Sequence, residues 1–352
     1  MAVFLYSAIE RLEKVEMPKI NPNLSLDEDF NYVGDRRKRR LKYHSPKVSE
    51  VQILTSLADE TGGQEHFDFT YRASRHERQW IVSSLGDFYD QQWLTDVLRL
   101  LKGGKEASVY QCTADPAITT GYIAAKVYRP RQFRNLKNDH LYREGRERLD
   151  SDGNVIVDGG KHHAMDKRTA YGLELMHTSW IEHEFKTMQI LHAAGVDVPV
   201  PYASGNNAIL MQYIGADEMP APTLNTLELP LPEARLLLDR VLFNIDRMLT
   251  HHRIHGDLSA FNILYWEGNI TLIDFPQAID PRQNRNAYQI FERDVVRIGD
   301  YFSRQGVTVN SRQIARQIWK THHYKIKPEV HPSLLDDQDD DDVAYWRALS
   351  DE

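Results

Sequence analysis

The segment His255-Gly256-Asp257-Leu258-Ser259-Ala260-Phe261-Asn262, followed after a hairpin signal by Leu272-Ile273-Asp274-Phe275, decides how this chain is read. An Asp, an amide five residues later and a second Asp at the end of a β-prone run form a set of hard oxygen ligands suited to Mg²⁺ held on phosphates. On that reading Asn262 and Asp274 hold metal, and Asp257 is left to orient the attacking group or accept its proton. Each residue alone also fits a turn in which Asp or Asn satisfies backbone donors; the joint pattern favours phosphoryl transfer. Such a site needs a cation for the nucleotide, and Ala124-Ala125-Lys126-Val127-Tyr128 puts an ammonium in the middle of an apolar strand. Burying it unpaired is costly. Glu184, on a helix expected from about Leu173 to Ala194, is the partner that would position Lys126 on the α- and β-phosphates. Glu182, two positions away, should point elsewhere. Gly103-Gly104-Lys105-Glu106-Ala107-Ser108 lies between two expected strands, where backbone N–H groups can approach phosphate, although a Gly pair by itself suits an ordinary turn.

Outward from these motifs, Trp80, Ile81, Leu85 and Phe88 recur at helical spacing after His76. Three β-prone runs follow, Asp96–Leu101, Ala107–Cys112 and Tyr122–Tyr128, which suit an antiparallel sheet. The stretch 131–168 is charged, with turn signals at Asp152-Gly153 and Gly159-Gly160, and reads as an insertion that is mobile unless bound. Strands are expected again at Val198–Tyr202 and Ala208–Ile214, joined by a turn at Ser204–Asn207. A long helix fits Pro232–His252, and Ile263–Trp266 and Ile270–Ile273 flank the turn Glu267-Gly268-Asn269. Helices at Tyr288–Phe302 and Ser311–His322 complete an α+β order: a β-rich lobe with one main helix, then a mostly helical lobe.

Several of these segments, in this order, resemble the RIO family of atypical serine/threonine protein kinases. The likeness spans about Asp96 to Phe302 and is carried by Gly104-Lys105-Glu106-Ala107-Ser108-Val109-Tyr110, Glu184-Phe185, Gly195–Pro201, Met211-Gln212-Tyr213-Ile214-Gly215, Met219–Pro222 and the two Asp motifs. The resemblance implies a two-lobed protein-kinase-like fold, an antiparallel-sheet N-lobe over a helical C-lobe, with ATP between them. It also implies Mg²⁺, with Mn²⁺ as an alternative, and adenine held by the Gln212 C=O and the Ile214 N–H against Met211. Gly104, Lys105 and Ser108 would line the phosphates. Gly256 stands where an ordinary protein kinase has Arg, Pro276 where the metal motif has Gly, and no Ala-Pro-Glu motif follows. The run from Asp274 to the helix near Ala287 is too short for a long activation segment. In the family this goes with weak protein phosphorylation, ATPase activity and, in some members, an aspartyl-phosphate, which would fall on Asp274. The alternatives are a small-molecule kinase of the aminoglycoside or choline type and a non-catalytic, nucleotide-gated binding module.

The chain has 352 residues, 41% hydrophobic and 27% charged, which suits a folded protein and excludes collagenous or coiled-coil chains. With 43 Lys and Arg against 51 Asp and Glu, its whole surface is not built to coat nucleic acid. Residues 1–75 are expected to be an N-terminal helix and a mostly disordered arm carrying the run Arg36-Arg37-Lys38-Arg39-Arg40, a solvated linker or a contact to a ribosomal or RNA-containing assembly. Residues 76–325 are expected to form the kinase-type domain, with its N-lobe at about 76–214 and its C-lobe at about 215–325, and 326–352 an acidic tail. The partners expected are ATP and a protein phosphoacceptor of unknown identity. One cysteine, Cys112, excludes an intrachain disulfide and fits a cytoplasmic protein, where it reads as strand packing. Neither a signal peptide nor a membrane span is expected. His162, His163, His251, His252 and His255 are expected to be structural or solvated rather than zinc ligands. Asp294 is expected to hydrogen-bond the catalytic-loop backbone, or else to pair with Arg293 or Arg297.

Overall fold

The computed structural model describes residues 67–104, 106–119, 121–129 and 146–324. The expected N-terminal helix, the basic run, Lys105, residues 131–145 of the insertion and the acidic tail lie outside the described residues. The architecture is α+β. Helix α1 (Arg75–Asp90) precedes β1 (Leu94–Gly103), β2 (Ala107–Ala114) and β3 (Tyr122–Tyr128). After α2 (Gly159–Asp166) and α3 (Ala170–Ala193), β4 (Pro201–Gly205) and β5 (Ala208–Gln212) complete an antiparallel sheet of order β1-β2-β3-β5-β4.

The period of two in β3 assigns its side chains. Ile123, Ala125 and Val127 face α1 and pack with Trp80, Ile81, Leu85 and Phe88. The alternate residues Ala124, Lys126 and Tyr128 face the other way, toward α3 and the C-lobe, where Tyr128 meets Trp180 and Ile181. The lysine is therefore aimed into the space between the lobes by strand geometry alone.

The short pair β6 (Gly215–Ala216) and β7 (Met219–Pro220) leads into the C-lobe. There α4 (Leu231–Thr250) buries Leu238, Val241, Ile245, Met248 and Leu249 along one stripe, and Pro stands in its first turn. The hairpin β8 (Ile263–Trp266) and β9 (Asn269–Leu272) follows a 3₁₀ turn at Ala260–Asn262. Helices α5 (Ala287–Arg304) and α6 (Ser311–Thr321) close the lobe around Trp319, which is 1% exposed.

Four local expectations are corrected. The polar arm was expected to run to about Arg75, yet Phe67 and Phe69 are buried beside Tyr89 and Trp80, and the Tyr71 N–H donates to Val97 O at 2.8 Å. Phe67-Asp68-Phe69-Thr70-Tyr71 alternates apolar and polar residues, the period of a half-buried extended segment, but over only five residues at the end of a long polar stretch. Gly159-Gly160, read as a turn, opens α2 instead, because the Asp158 carboxylate caps the Lys161 N–H at 2.7 Å. The described part of the insertion is packed: Leu149, Ile156 and Met165 are buried, and His162 Nε2 donates to Ile156 O at 2.8 Å rather than being solvated. A smaller shift concerns β4, which begins at Pro201 and leaves Val198 in the preceding loop.

Candidate functional site

Between the lobes, three charged side chains from three distant segments meet. Lys126 Nζ on β3 donates to Glu184 Oε1 at 2.6 Å and to Asp274 Oδ1 at 2.5 Å. Glu184 is there because α3 places it on the stripe shared by Trp180, Ile181, Met188 and Leu191, three and four residues apart. Its other oxygen accepts from the Tyr128 hydroxyl at 2.6 Å, and Oε1 also accepts the Phe275 N–H at 3.2 Å. The carboxylate thus ties the strand lysine to the loop beyond β9. Burial works to lower the Lys126 ammonium, but Asp274 and Glu184 outweigh it and hold its pKa above the ordinary lysine value. For Asp274 burial pushes upward, and Lys126 outweighs it and holds the carboxyl below its usual range. Asp274 has φ +74°, an uncommon conformation for a residue with a side chain, at the point where the chain leaves the hairpin.

Glu182 points elsewhere, as the helical period requires: it accepts from the Ser204 hydroxyl at 3.0 Å. Burial pushes it up to about 7.

The loop 255–262 is built around backbone contacts. His255 is 1% exposed; its Nε2 donates to Ile273 O at 3.1 Å and its Nδ1 accepts the Asp257 N–H at 3.3 Å, so the ring is a structural strut. Gly256 has φ +83°, and a Cβ there would lie 2.2 Å from Gln277 O. This close approach is the reason that no side chain stands before Asp257. Asn262 Nδ2 donates to Asp257 O at 2.9 Å, which leaves its amide oxygen for another partner. The Ile273 N–H donates to Asn262 O at 3.0 Å and links the loop to the end of β9. Asp294 on α5 is buried and accepts the Gly256 N–H at 2.9 Å, with Arg293 Nη2 at 3.0 Å. Burial pushes the Asp294 carboxyl up, with Arg293 and His255 acting against it.

Sequence reasoning missed two groups. Arg297 Nη1 donates to Asp257 Oδ1 at 2.7 Å; it had been weighed only as a partner for Asp294. Tyr128 was seen as an apolar strand residue, and its hydroxyl on Glu184 went unnoticed. Neither has a signal in the sequence beyond an Arg on a helix and a Tyr in a strand.

At the nucleotide loop, Gly104 sits where a Cβ would come 2.7 Å from Ala107 O; Ser108, expected to line the phosphates, is buried opposite Val127 on the sheet face that packs on α1 with Tyr110 and Cys112, so strand alternation turns its side chain away from the cleft. Lys105 lies outside the described residues. On the far side of the expected adenine position, Met211 pairs with Ala124 across the sheet, and β5 ends at Gln212. Ile214 O accepts the Ala221 N–H at 2.9 Å, and among the described residues its own N–H has no partner.

No group of three His, Cys, Asp or Glu residues that could hold a metal alone occurs among the described residues. His252 Nδ1 and the Tyr324 hydroxyl are hydrogen-bonded to each other at 2.6 Å. The site's own donors are one carboxylate, Asp274, and one amide, Asn262. Both are hard oxygen ligands, and so few protein ligands fit an ion that takes its remaining oxygens from phosphates and water. No helix among the described residues is long and apolar enough to cross a membrane.

Residues 108–314 match the family model of the RIO domain. The chain is similar to the RIO-type serine/threonine-protein kinase Rio1 of Thermoplasma acidophilum, 30% identical over 141 residues, which are 40% of this chain and 73% of that protein. It is 33% identical over 132 residues to the human serine/threonine-protein kinase RIO1, covering 37% of this chain and 23% of the human one. With serine/threonine-protein kinase RIO1 of Chaetomium thermophilum it shares 25% identity over 311 residues, 85% of this chain and 55% of the fungal one. The chain therefore spans about a quarter of the human relative and about half of the fungal one.

Proposed function

The chain belongs to the RIO domain family, and from that premise we propose that it is an ATP-dependent phosphotransferase acting slowly on serine or threonine of a protein. The observation that carries the reading is the convergence of Glu184 and Asp274 on Lys126. An ammonium held between two carboxylates at a cleft is a preformed phosphate site: incoming α- and β-phosphates take the place of Asp274 on Lys126 while Glu184 keeps it aimed. Adenine lies against Met211, hydrogen-bonded to the Gln212 C=O and the Ile214 N–H. Gly104 and Lys105 border the phosphates, and Ser108 offers them only its backbone, since its side chain lies on the α1 face of the sheet.

Asp274 and Asn262 would hold Mg²⁺, or Mn²⁺ in its place. When bound, the ion neutralises phosphate charge. Asp257 accepts the proton of the attacking hydroxyl, and Arg297 fixes the orientation of its carboxylate. The run 275–286 between Asp274 and α5 leaves no room for a long peptide-docking segment, which favours slow peptide turnover and a switching role in which nucleotide closes the lobes. In the sharper form of the reading, an Asp274 oxygen attacks the γ-phosphorus, the bond to the bridging oxygen breaks and ADP leaves. Water then hydrolyses the acyl phosphate to inorganic phosphate and restores the carboxylate.

Calorimetry with Mg·ATP tests the first part: micromolar binding in the wild type, and at least about tenfold weaker binding in Lys126→Ala or Asp274→Ala. An absence of heat in the wild type removes the proposal. After quenching from γ-labelled ATP, a label released by hydroxylamine supports the acyl phosphate, and a hydroxylamine-stable label on Ser or Thr refutes it. Fast transfer to an aminoglycoside- or choline-like alcohol with no protein label would give the site to small molecules.

A further inference from the structure

The row of residues that crosses the sheet beside the expected adenine position ends in a polar pair. Met211 of β5 stands opposite Ala124 of β3, Ala124 opposite Gln111 of β2, and Gln111 opposite Arg99 of β1. Met211 and Ala124 belong to the large cluster shared with the C-lobe, so this row lies on the cleft face. Gln111 alternates along β2 with Tyr110 and Cys112, which pack toward α1, and therefore points the same way as Ala124. Arg99 joins them only through an irregularity in β1. Val97, two residues earlier, packs toward α1, and a regular strand would send Arg99 after it. Between the two, the pairing with β2 slips by one residue, from Val97 with Cys112 to Arg99 with Gln111, and such a slip turns a side chain to the other face.

On that face both side chains grip one short hairpin. Arg99 Nε donates to Gln111 Oε1 at 2.6 Å, Nη2 to Asp217 O at 2.6 Å and Nη1 to Glu218 O at 3.1 Å. Gln111 is fully buried, and its Nε2 donates to the same Asp217 O at 2.8 Å. All three guanidinium nitrogens and both ends of the amide are thus engaged. Asp217 and Glu218 are the residues that join β6 to β7, and this hairpin follows Ile214 directly. Nearer its base, the Tyr213 hydroxyl donates to Ala216 O at 2.9 Å, and the Ala221 N–H donates to Ile214 O at 2.9 Å. The stretch 212–214 is therefore held by β5 on one side and by the hairpin on the other, and the hairpin tip is in turn held by β1 and β2.

We propose that Arg99 and Gln111 are positioning residues for the nucleotide base: through the β6–β7 hairpin they hold the Gln212 C=O and the Ile214 N–H where adenine meets them. The inference rests on the placement of adenine proposed above. A guanidinium suits the task because its fork spans two successive carbonyls at once, whereas an ammonium is a single point of attachment. The pair acts through the backbone it fixes and not by contact with the nucleotide, so its effect should depend on the base and not on the phosphates.

Calorimetric titration of the full chain with Mg·ATP and with Mg·tripolyphosphate, which carries the phosphates without a base, tests the assignment. The wild type should bind ATP at least about tenfold more tightly than tripolyphosphate. In Arg99→Met and in Gln111→Met that preference should shrink at least about fivefold, through weaker ATP binding at unchanged tripolyphosphate affinity. Arg99→Lys should fall between Arg99→Met and the wild type. An equal loss for both ligands would make the pair a general structural tie and overturn the positioning role. A wild type that prefers ATP while both variants keep the full preference overturns the role as well, and leaves the adenine placement standing. A wild type with no preference for ATP overturns the placement itself, and the role with it.

Discussion

Glu182 and Glu184 stand two positions apart on one helix and meet opposite fates. Glu184 spends its charge on Lys126, whereas Glu182 is buried against a neutral hydroxyl with Asp150 and Asp152 nearby. Its folded pKa of about 7 lies above its ordinary value of 4.5. The stability linked to this group is therefore full below pH 4.5 and is lost as pH rises through 7. Glu182→Gln keeps an acceptor for Ser204 and removes the charge. It should match the wild type near pH 4.5 and be more stable above pH 8 by roughly 2–3 kcal/mol, read from urea midpoints; a difference independent of pH would contradict this. Asp257→Asn belongs to the same scale. The shorter Asn262 bond, 2.9 Å, goes to the backbone oxygen of Asp257 and survives, and the 3.4 Å contact to Oδ2 can be kept by an amide oxygen, so nucleotide affinity should change little while phosphoryl transfer drops by about 10²–10⁴-fold in single-turnover assays.

At the scale of elements, the loop 255–262 and the segment after Asp274 are pressed together at Gly256. Ala at this position would need a left-handed backbone and would drive a methyl group into Gln277 O. Gly256→Ala should cost about 2 kcal/mol or more and abolish transfer, because Asp257 follows directly; a variant with wild-type turnover would show that the loop tolerates displacement. Helix α6 offers the contrasting case. Trp319 packs against Tyr288 and Phe291, each ring centroid 5.3 Å away, far along the chain from the cleft residues. Trp319→Ala should cost about 3–5 kcal/mol in thermal or urea unfolding while leaving nucleotide affinity at 25 °C within about twofold.

Across the whole molecule the two lobes are not separate bodies of packing. The large C-lobe cluster continues through Leu191 and Met188 of α3 into Ala124 and Met211 of the sheet. Lys126 then links sheet, helix and the loop after β9 in one charged contact. Shared core implies shared cooperativity, so calorimetric unfolding of the protein should show one main transition. Two well-resolved transitions would mean that the lobes melt independently.

What the sequence determined by itself is what short-range rules control. The hairpin around Glu267-Gly268-Asn269 keeps Asn262 and Asp274 close, since β8 and β9 pair from Ile263 with Leu272 to Trp266 with Asn269. The helical period chose Glu184 over Glu182, and strand alternation aimed Lys126. The family likeness rested on such local motifs. Only the tertiary structure decided that Arg297, 40 residues from Asp257, is the arginine that grips it, and that Phe67 and Phe69 join the N-lobe core. It likewise supplied the reason for Gly256 and brought the insertion, α3, the segment after α4 and the loop after Asp274 around one cavity. Turn chemistry and side-chain period act over a few residues and leave a mark in the sequence. Ion pairs, close backbone approaches and shared cavities join segments far apart, so they exist only once the chain has packed.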